Sequence, residues 1–85
     1  MPYRIIIPPQ VQKQLDALPL SNWRRVSTAI DRLADAPRPL GSKKLHGSAE
    51  FWRIRAGDYR IIYTIEDDRL VVILIKIGHR REVYR

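Results

Sequence analysis

Phe51-Trp52-Arg53-Ile54-Arg55-Ala56-Gly57-Asp58-Tyr59-Arg60-Ile61-Ile62-Tyr63 carries the pattern of a β-hairpin. Two β-rich runs flank a Gly-Asp pair, and Gly followed by Asp suits a two-residue type II′ hairpin turn. With Gly57 and Asp58 in the loop, Ala56 pairs with Tyr59 and Arg55 with Arg60. Ile54 then meets Ile61, Arg53 meets Ile62 and Trp52 meets Tyr63. Side chains alternate across a sheet. Trp52, Ile54, Ile61 and Tyr63 therefore share the side suited to packing, and Arg53, Arg55 and Arg60 share the other. A one-residue slip of register would undo that grouping.

On the N-terminal side, Tyr3 to Ile7 is a short β-rich run stopped by Pro8-Pro9, and Pro9 suits the first position of a helix. Val11, Leu15 and Leu18 form a helical stripe closed by Pro19. Trp23, Val26, Ile30 and Leu33 form a second one, with Ser21 or Asn22 as candidate N-cap and Pro37 and Pro39 beyond its end. The connection is short, so the two helices predict an antiparallel hairpin. Leu40 to Ser48 reads as a basic loop. On the C-terminal side, Glu66 to Arg69 is a turn, and Leu70 to Ile77 is nearly all apolar, as in a central strand covered on both sides. The expected order is β-α-α-β-β-β. This is an α+β fold in which a helical hairpin packs on one face of a four-stranded antiparallel or mixed sheet.

The length of 85 residues allows one domain, spanning 1–85, with a thin core. No apolar run approaches the ~18 residues of a membrane span and no signal peptide is expected, so the chain is expected in the cytoplasm. With no cysteine, disulfides, thiolate zinc sites and thiol nucleophiles are excluded. Twelve arginines and four lysines against nine acids leave a net charge of +7. Such a field favours a polyanion such as nucleic acid, an anionic membrane or an acidic protein. Arginine also grips phosphate through two parallel hydrogen bonds.

Like charges directly opposite each other in a sheet are destabilising. Arg53, Arg55 and Arg60 on one patch therefore make better sense with an anion among them, the alternative being a solvated basic face with no ligand. The tail Gly78-His79-Arg80-Arg81-Glu82-Val83-Tyr84-Arg85 adds donors, an imidazole and an aromatic ring suited to base stacking, the alternative being a soluble frayed end. His46 and His79 are too far apart in sequence for a metal motif, and there is no phosphate-cradling glycine loop. The serines lack a nucleophile signature, and Glu66-Asp67-Asp68 reads as a solvated turn. Trp23 and Trp52 read as core.

Lys44-Leu45-His46-Gly47, the hairpin from Phe51 to Tyr63, and Ile77-Gly78-His79-Arg80-Arg81-Glu82-Val83-Tyr84 together resemble RelE-type toxins of the RelE/ParE superfamily, along essentially the whole chain. The resemblance implies a small toxin of a type II toxin–antitoxin pair that cleaves mRNA on the ribosome without metal or cofactor. The 2′-OH would attack the adjacent phosphorus. It also implies roles for Arg53, Arg55, Arg60, Arg80 and Tyr84 in catalysis. Family members often carry lysine where this chain has Arg53 and Arg55. A guanidinium does not readily give up its proton, which makes His79 the candidate base. Lys43, Lys44, Arg81 and Arg85 are candidate contacts to RNA phosphates. The implied partners are an acidic helical antitoxin, the ribosome and its mRNA. Operator DNA is expected only through the antitoxin, and no membrane. ParE-type members inhibit DNA gyrase instead, and a non-catalytic RNA-binding module is a third possibility.

Overall fold

The computed structural model describes residues 2–45 and 50–79. Pro8 and Pro9 separate β1 (Arg4–Ile6) from α1 (Pro9–Asp16), and Pro19 precedes α2 (Leu20–Arg32). β2 (Lys43–Lys44), β3 (Phe51–Ala56), β4 (Tyr59–Glu66) and β5 (Val71–His79) follow. The strands form one mixed sheet in the order β1-β5-β4-β3-β2. β1 runs parallel to β5 and the other neighbours are antiparallel. The expected α+β architecture is present, with five strands rather than four. The extra strand is Lys43–Lys44, read from sequence as loop. Two residues are too few to show an alternating pattern.

Each helix starts behind a proline. Pro8 holds φ −59° and ψ 153°, and Pro19 holds φ −55° and ψ 150°, both extended. The Trp23 amide donates to the Pro19 carbonyl at 2.8 Å. Ser21 and Asn22 therefore lie inside the first turn, and neither caps the helix. Val11 and Leu15 of α1 and Val26, Ile30 and Leu33 behind them are buried. They pack on Ile54, Ile61, Tyr63, Val72, Leu74 and Ile77 of the sheet. Truncating one of these to Ala costs about 2–5 kcal/mol. Trp23, the first member of the predicted α2 stripe, is not core: it is 37% exposed and points its Nε1–H at Asp16 Oδ1, 3.4 Å away. Trp52 is half-buried against the core.

β5 is an interior strand between β1 and β4, but only one of its faces carries the helices. Ile75 and Lys76 are exposed. Leu74 faces Tyr63 and Lys76 faces Ile62, so Ile75 is an extra residue in a bulge. The apolar run from Leu70 to Ile75 hid this change of phase, because its residues read alike. Past Ile73, where β1 ends, Gln14 of α1 covers the β5 edge by accepting a hydrogen bond from the Ile77 amide at 2.8 Å.

The link from α2 to β2 is tied down twice. Arg38 grips Asp67 through both guanidinium ends, at 3.1 and 2.7 Å, and Tyr3 donates to the same carboxylate at 2.6 Å. The Tyr63 hydroxyl donates to the Pro37 carbonyl at 2.7 Å. β2 is thereby held against β3. Among the described residues no helix is long and apolar enough to cross a membrane.

Candidate nucleic-acid interface

The hairpin between β3 and β4 forms as its sequence predicts. φ is +63° at Gly57 and is not positive at Asp58, the type II′ pattern. The register is the expected one, from Ala56 opposite Tyr59 to Trp52 opposite Tyr63. Paired residues in a sheet share a face. Arg55, Arg60 and Gly78 therefore form one row across β3, β4 and β5. The next row on the same face is Lys43, Arg53, Ile62 and Lys76, across β2 to β5. Five cations thus converge on the face opposite the helices, with cross-strand neighbours about 5 Å apart at Cβ.

Their settings differ. Arg60 is 7% exposed, Arg53 is half-buried, and Lys43, Arg55 and Lys76 are exposed. The two rows contain no acid. Among the described residues the salt bridges are Arg38–Asp67 and Arg69–Glu66, and neither involves Lys43, Arg53, Arg55 or Lys76. Among the described residues the two rows offer many donors and no acceptor side chain, as a polyanion requires. Among the described residues no cluster of His, Asp and Glu could hold a metal ion.

Two candidate residues stand elsewhere. Lys44 falls on the helix side with Trp52, its Nζ 5.6 Å from the indole ring centroid. His79 pairs with Tyr59 in the row of Ala56, on the side of the core. Its ring meets Tyr59 edge to face, with centroids 5.7 Å apart. It is thus across the sheet from Arg60. Arg80, Arg81, Tyr84, Arg85 and His46 lie outside the described residues.

Lys76 is the member that sequence reading missed. It is the sole charge in the apolar run from Leu70 to Gly78, and that isolation was the available signal. Its face could not be assigned without the bulge at Ile75.

The ties behind the face also set the ionisation of two groups. The hydrogen bond from Arg38, then that from Tyr3, lower the Asp67 pKa to about 2. Desolvation raises that of Tyr63 to about 12.

A family model described as the ParE toxin of type II toxin–antitoxin system, parDE, matches residues 5–84. A RelE1 protein of Methanocaldococcus jannaschii is 33% identical over 88 residues, covering 100% of this chain and 98% of its own length. The mRNA interferase toxin RelE of Escherichia coli is 28% identical over 81 residues, covering 81% of this chain and 84% of its own. Among solved structures, the archaeal RelE–RelB complex from Pyrococcus horikoshii contains a chain that superposes with a TM-score of 0.84 at 34% identity, over 96% of this chain and 99% of that one. From its sequence, its sheet order and these likenesses, the chain belongs to the RelE/ParE superfamily of type II toxin–antitoxin toxins.

Proposed function

We propose that this chain is the toxin of such a pair and an endoribonuclease that cuts mRNA on the ribosome. The observation that carries this is the convergence of Lys43, Arg53, Arg55, Arg60 and Lys76 on one face without an acid among them. In the reaction the ribose 2′-OH attacks the adjacent phosphorus and releases its proton to solvent. The bond from phosphorus to the 5′ oxygen breaks, leaving a 2′,3′-cyclic phosphate and a 5′-OH end. Negative charge builds on the non-bridging oxygens as the bond forms. Fixed guanidinium donors stabilise that charge more than they stabilise the ground state. Arg60, held by its burial, is suited to this task. Arg53 and Arg55 align the strand for in-line attack. Arg80 and Tyr84, by family likeness, would complete the grip.

The leaving 5′ oxygen needs a proton. His79 is registered on the other face, whereas the Lys76 ammonium shares the face of Arg53 and Arg60. We assign Lys76 as the proton donor. No step requires a metal or cofactor. An acidic helical antitoxin is the expected inhibitor, favoured by the +7 net charge and by the RelB bound in the Pyrococcus complex. The site of action is the cytoplasm, on translating ribosomes.

The ParE description of the family model favours a second reading, inhibition of DNA gyrase. Primer extension on mRNA after brief induction separates the two. Cuts within translated messages, lost in Arg60→Ala, support the nuclease. DNA breaks with intact mRNA support the gyrase reading.

A further inference from the structure

A second cationic feature lies where α2 borders the β3 edge, and it meets the rows just described at Arg55. A cleft of about 530 Å³ runs between α2 and the β3 end of the hairpin, walled by Arg24, Arg25, Thr28, Arg32 and Arg55. Its floor is Ala29, Ala56 and Gly57, three residues that allow close approach. Arg25 lies over the turn, with its Nη1 2.9 Å from where a Cβ on Gly57 would sit. Through Arg32 and Arg55 the cleft continues into a second of about 470 Å³ that adds Lys43 and Arg53. β2 pairs only with Trp52 and Arg53, so among the described residues no strand covers the β3 edge beyond Arg53. None of Arg24, Arg25 or Arg32 takes part in a salt bridge among the described residues. Among the described residues no aromatic ring lines either cleft.

We propose that this cleft is an adjoining docking site for the sugar–phosphate backbone of a folded, base-paired RNA. The proposal rests on the RNA reading above and extends it to Arg24, Arg25 and Arg32, which have no part in the cleavage step. Arginine forks answer phosphate oxygens. Arg25 and Arg32 are seven residues apart on α2, about 10 Å along its axis, room for each to meet a different phosphate. Single-stranded RNA is gripped by stacking its bases on aromatic rings, and the described residues of the cleft offer none. A duplex keeps its bases inside and presents backbone and 2′-OH groups. The cleft meets that pattern with charge and with the Thr28 oxygen, which donates its own proton to the Arg24 carbonyl at 2.8 Å and can accept from a 2′-OH. Because β3 carries Arg55 at the junction of the two surfaces, a duplex held here would lie beside a strand held for cleavage. The toxin would thereby be oriented on a structured RNA such as that of the ribosome.

The test is binding of a blunt A-form RNA duplex, followed by fluorescence anisotropy at several salt concentrations. Wild type is compared with Arg24→Gln/Arg25→Gln/Arg32→Gln and with Arg60→Gln. Glutamine keeps much of the stem and removes the charge. The expected result is a loss of at least tenfold in duplex affinity for the triple variant. The slope of log K against log salt should become shallower by about 2 to 3, at roughly 0.9 for each phosphate that is no longer neutralised. Arg60→Gln should keep duplex affinity while losing cleavage. The single variant Arg24→Glu, at an exposed position, gives the same direction should the triple variant fold poorly. Equal duplex affinity and slope in wild type and Arg24→Glu overturn the proposal, as does loss of antitoxin binding alone. A wild type that binds duplex through these arginines but never cuts mRNA would sink the nuclease reading and leave this one standing.

Discussion

Arg55 and Arg60 stand directly opposite each other on β3 and β4, with no acid in their row and Gly78 on the far strand. Arg60 is buried and Arg55 exposed, so the pair sets one fixed guanidinium beside one accessible to a ligand. Like charges so placed cost the fold tenths of a kcal/mol up to about 1 kcal/mol. A sequence selected for stability alone would alternate the signs.

Arg55→Glu therefore separates stability from function. Thermal unfolding of the variant should show a gain of about 0.2–1 kcal/mol, because an opposite-charge pair replaces a like-charge one. Growth arrest on induction should disappear in the same variant. Increased stability with full toxicity would detach the face from function.

Lys76 and His79 are three residues apart on β5 and on opposite faces. Lys76→Arg keeps the charge and withdraws a readily given proton. Single-turnover cleavage should fall at least tenfold. His79→Gln should stay within a few-fold of wild type, because the ring packs on Tyr59. A hundredfold loss in His79→Gln with an unaltered Lys76→Arg would return proton transfer to the imidazole.

Tyr63 should govern alkaline stability. Burial raises its pKa from 10.0 to about 12 in the fold. The unfolded chain ionises first. Stability is therefore whole below pH 10 and is lost as pH rises from about 10 to about 12. Tyr63→Phe should remove that decline and cost roughly 1 kcal/mol at neutral pH, through loss of its hydrogen bond to Pro37. Urea midpoints measured across that pH range read both effects.

Asp67 acts at the other extreme. Its folded pKa is lowered from 3.8 to about 2 by the hydrogen bonds from Arg38 and Tyr3. The unfolded chain takes up the proton first. The stability it contributes is present above about pH 4 and is lost as pH falls through about 2. In Asp67→Asn the acid limb between those values should flatten, as followed by circular dichroism.

The Gly57-Asp58 turn made the hairpin legible, because one glycine and strict alternation fix which residues meet. Arg53, Arg55 and Arg60 could be grouped from that alone. The cores of both helices were legible too, since Val11, Leu15, Val26, Ile30 and Leu33 repeat at helical spacing. Lys43–Lys44 was not, because an edge strand of two residues exists only through its partner Arg53-Trp52. Lys76 was hidden behind an unmarked bulge. Trp23 misled because a large apolar ring at the right spacing looks like core. Here it takes a position at the helix-hairpin surface, where its indole N–H reaches Asp16. The α2 arginines escaped notice because a helix alone does not reveal that its basic side borders Arg55.

The most direct test of the central claim is the rate at which purified protein cuts mRNA on programmed ribosomes, compared between wild type and Arg60→Ala at matched folding. Loss of a charge-stabilising donor is expected to slow cleavage by about 10²–10³-fold. Wild-type products should carry 2′,3′-cyclic phosphate ends, and a 2′-deoxy substitution at the cut position should block them. Cleavage at the wild-type rate by Arg60→Ala, or of the deoxy-substituted message, would contradict the account.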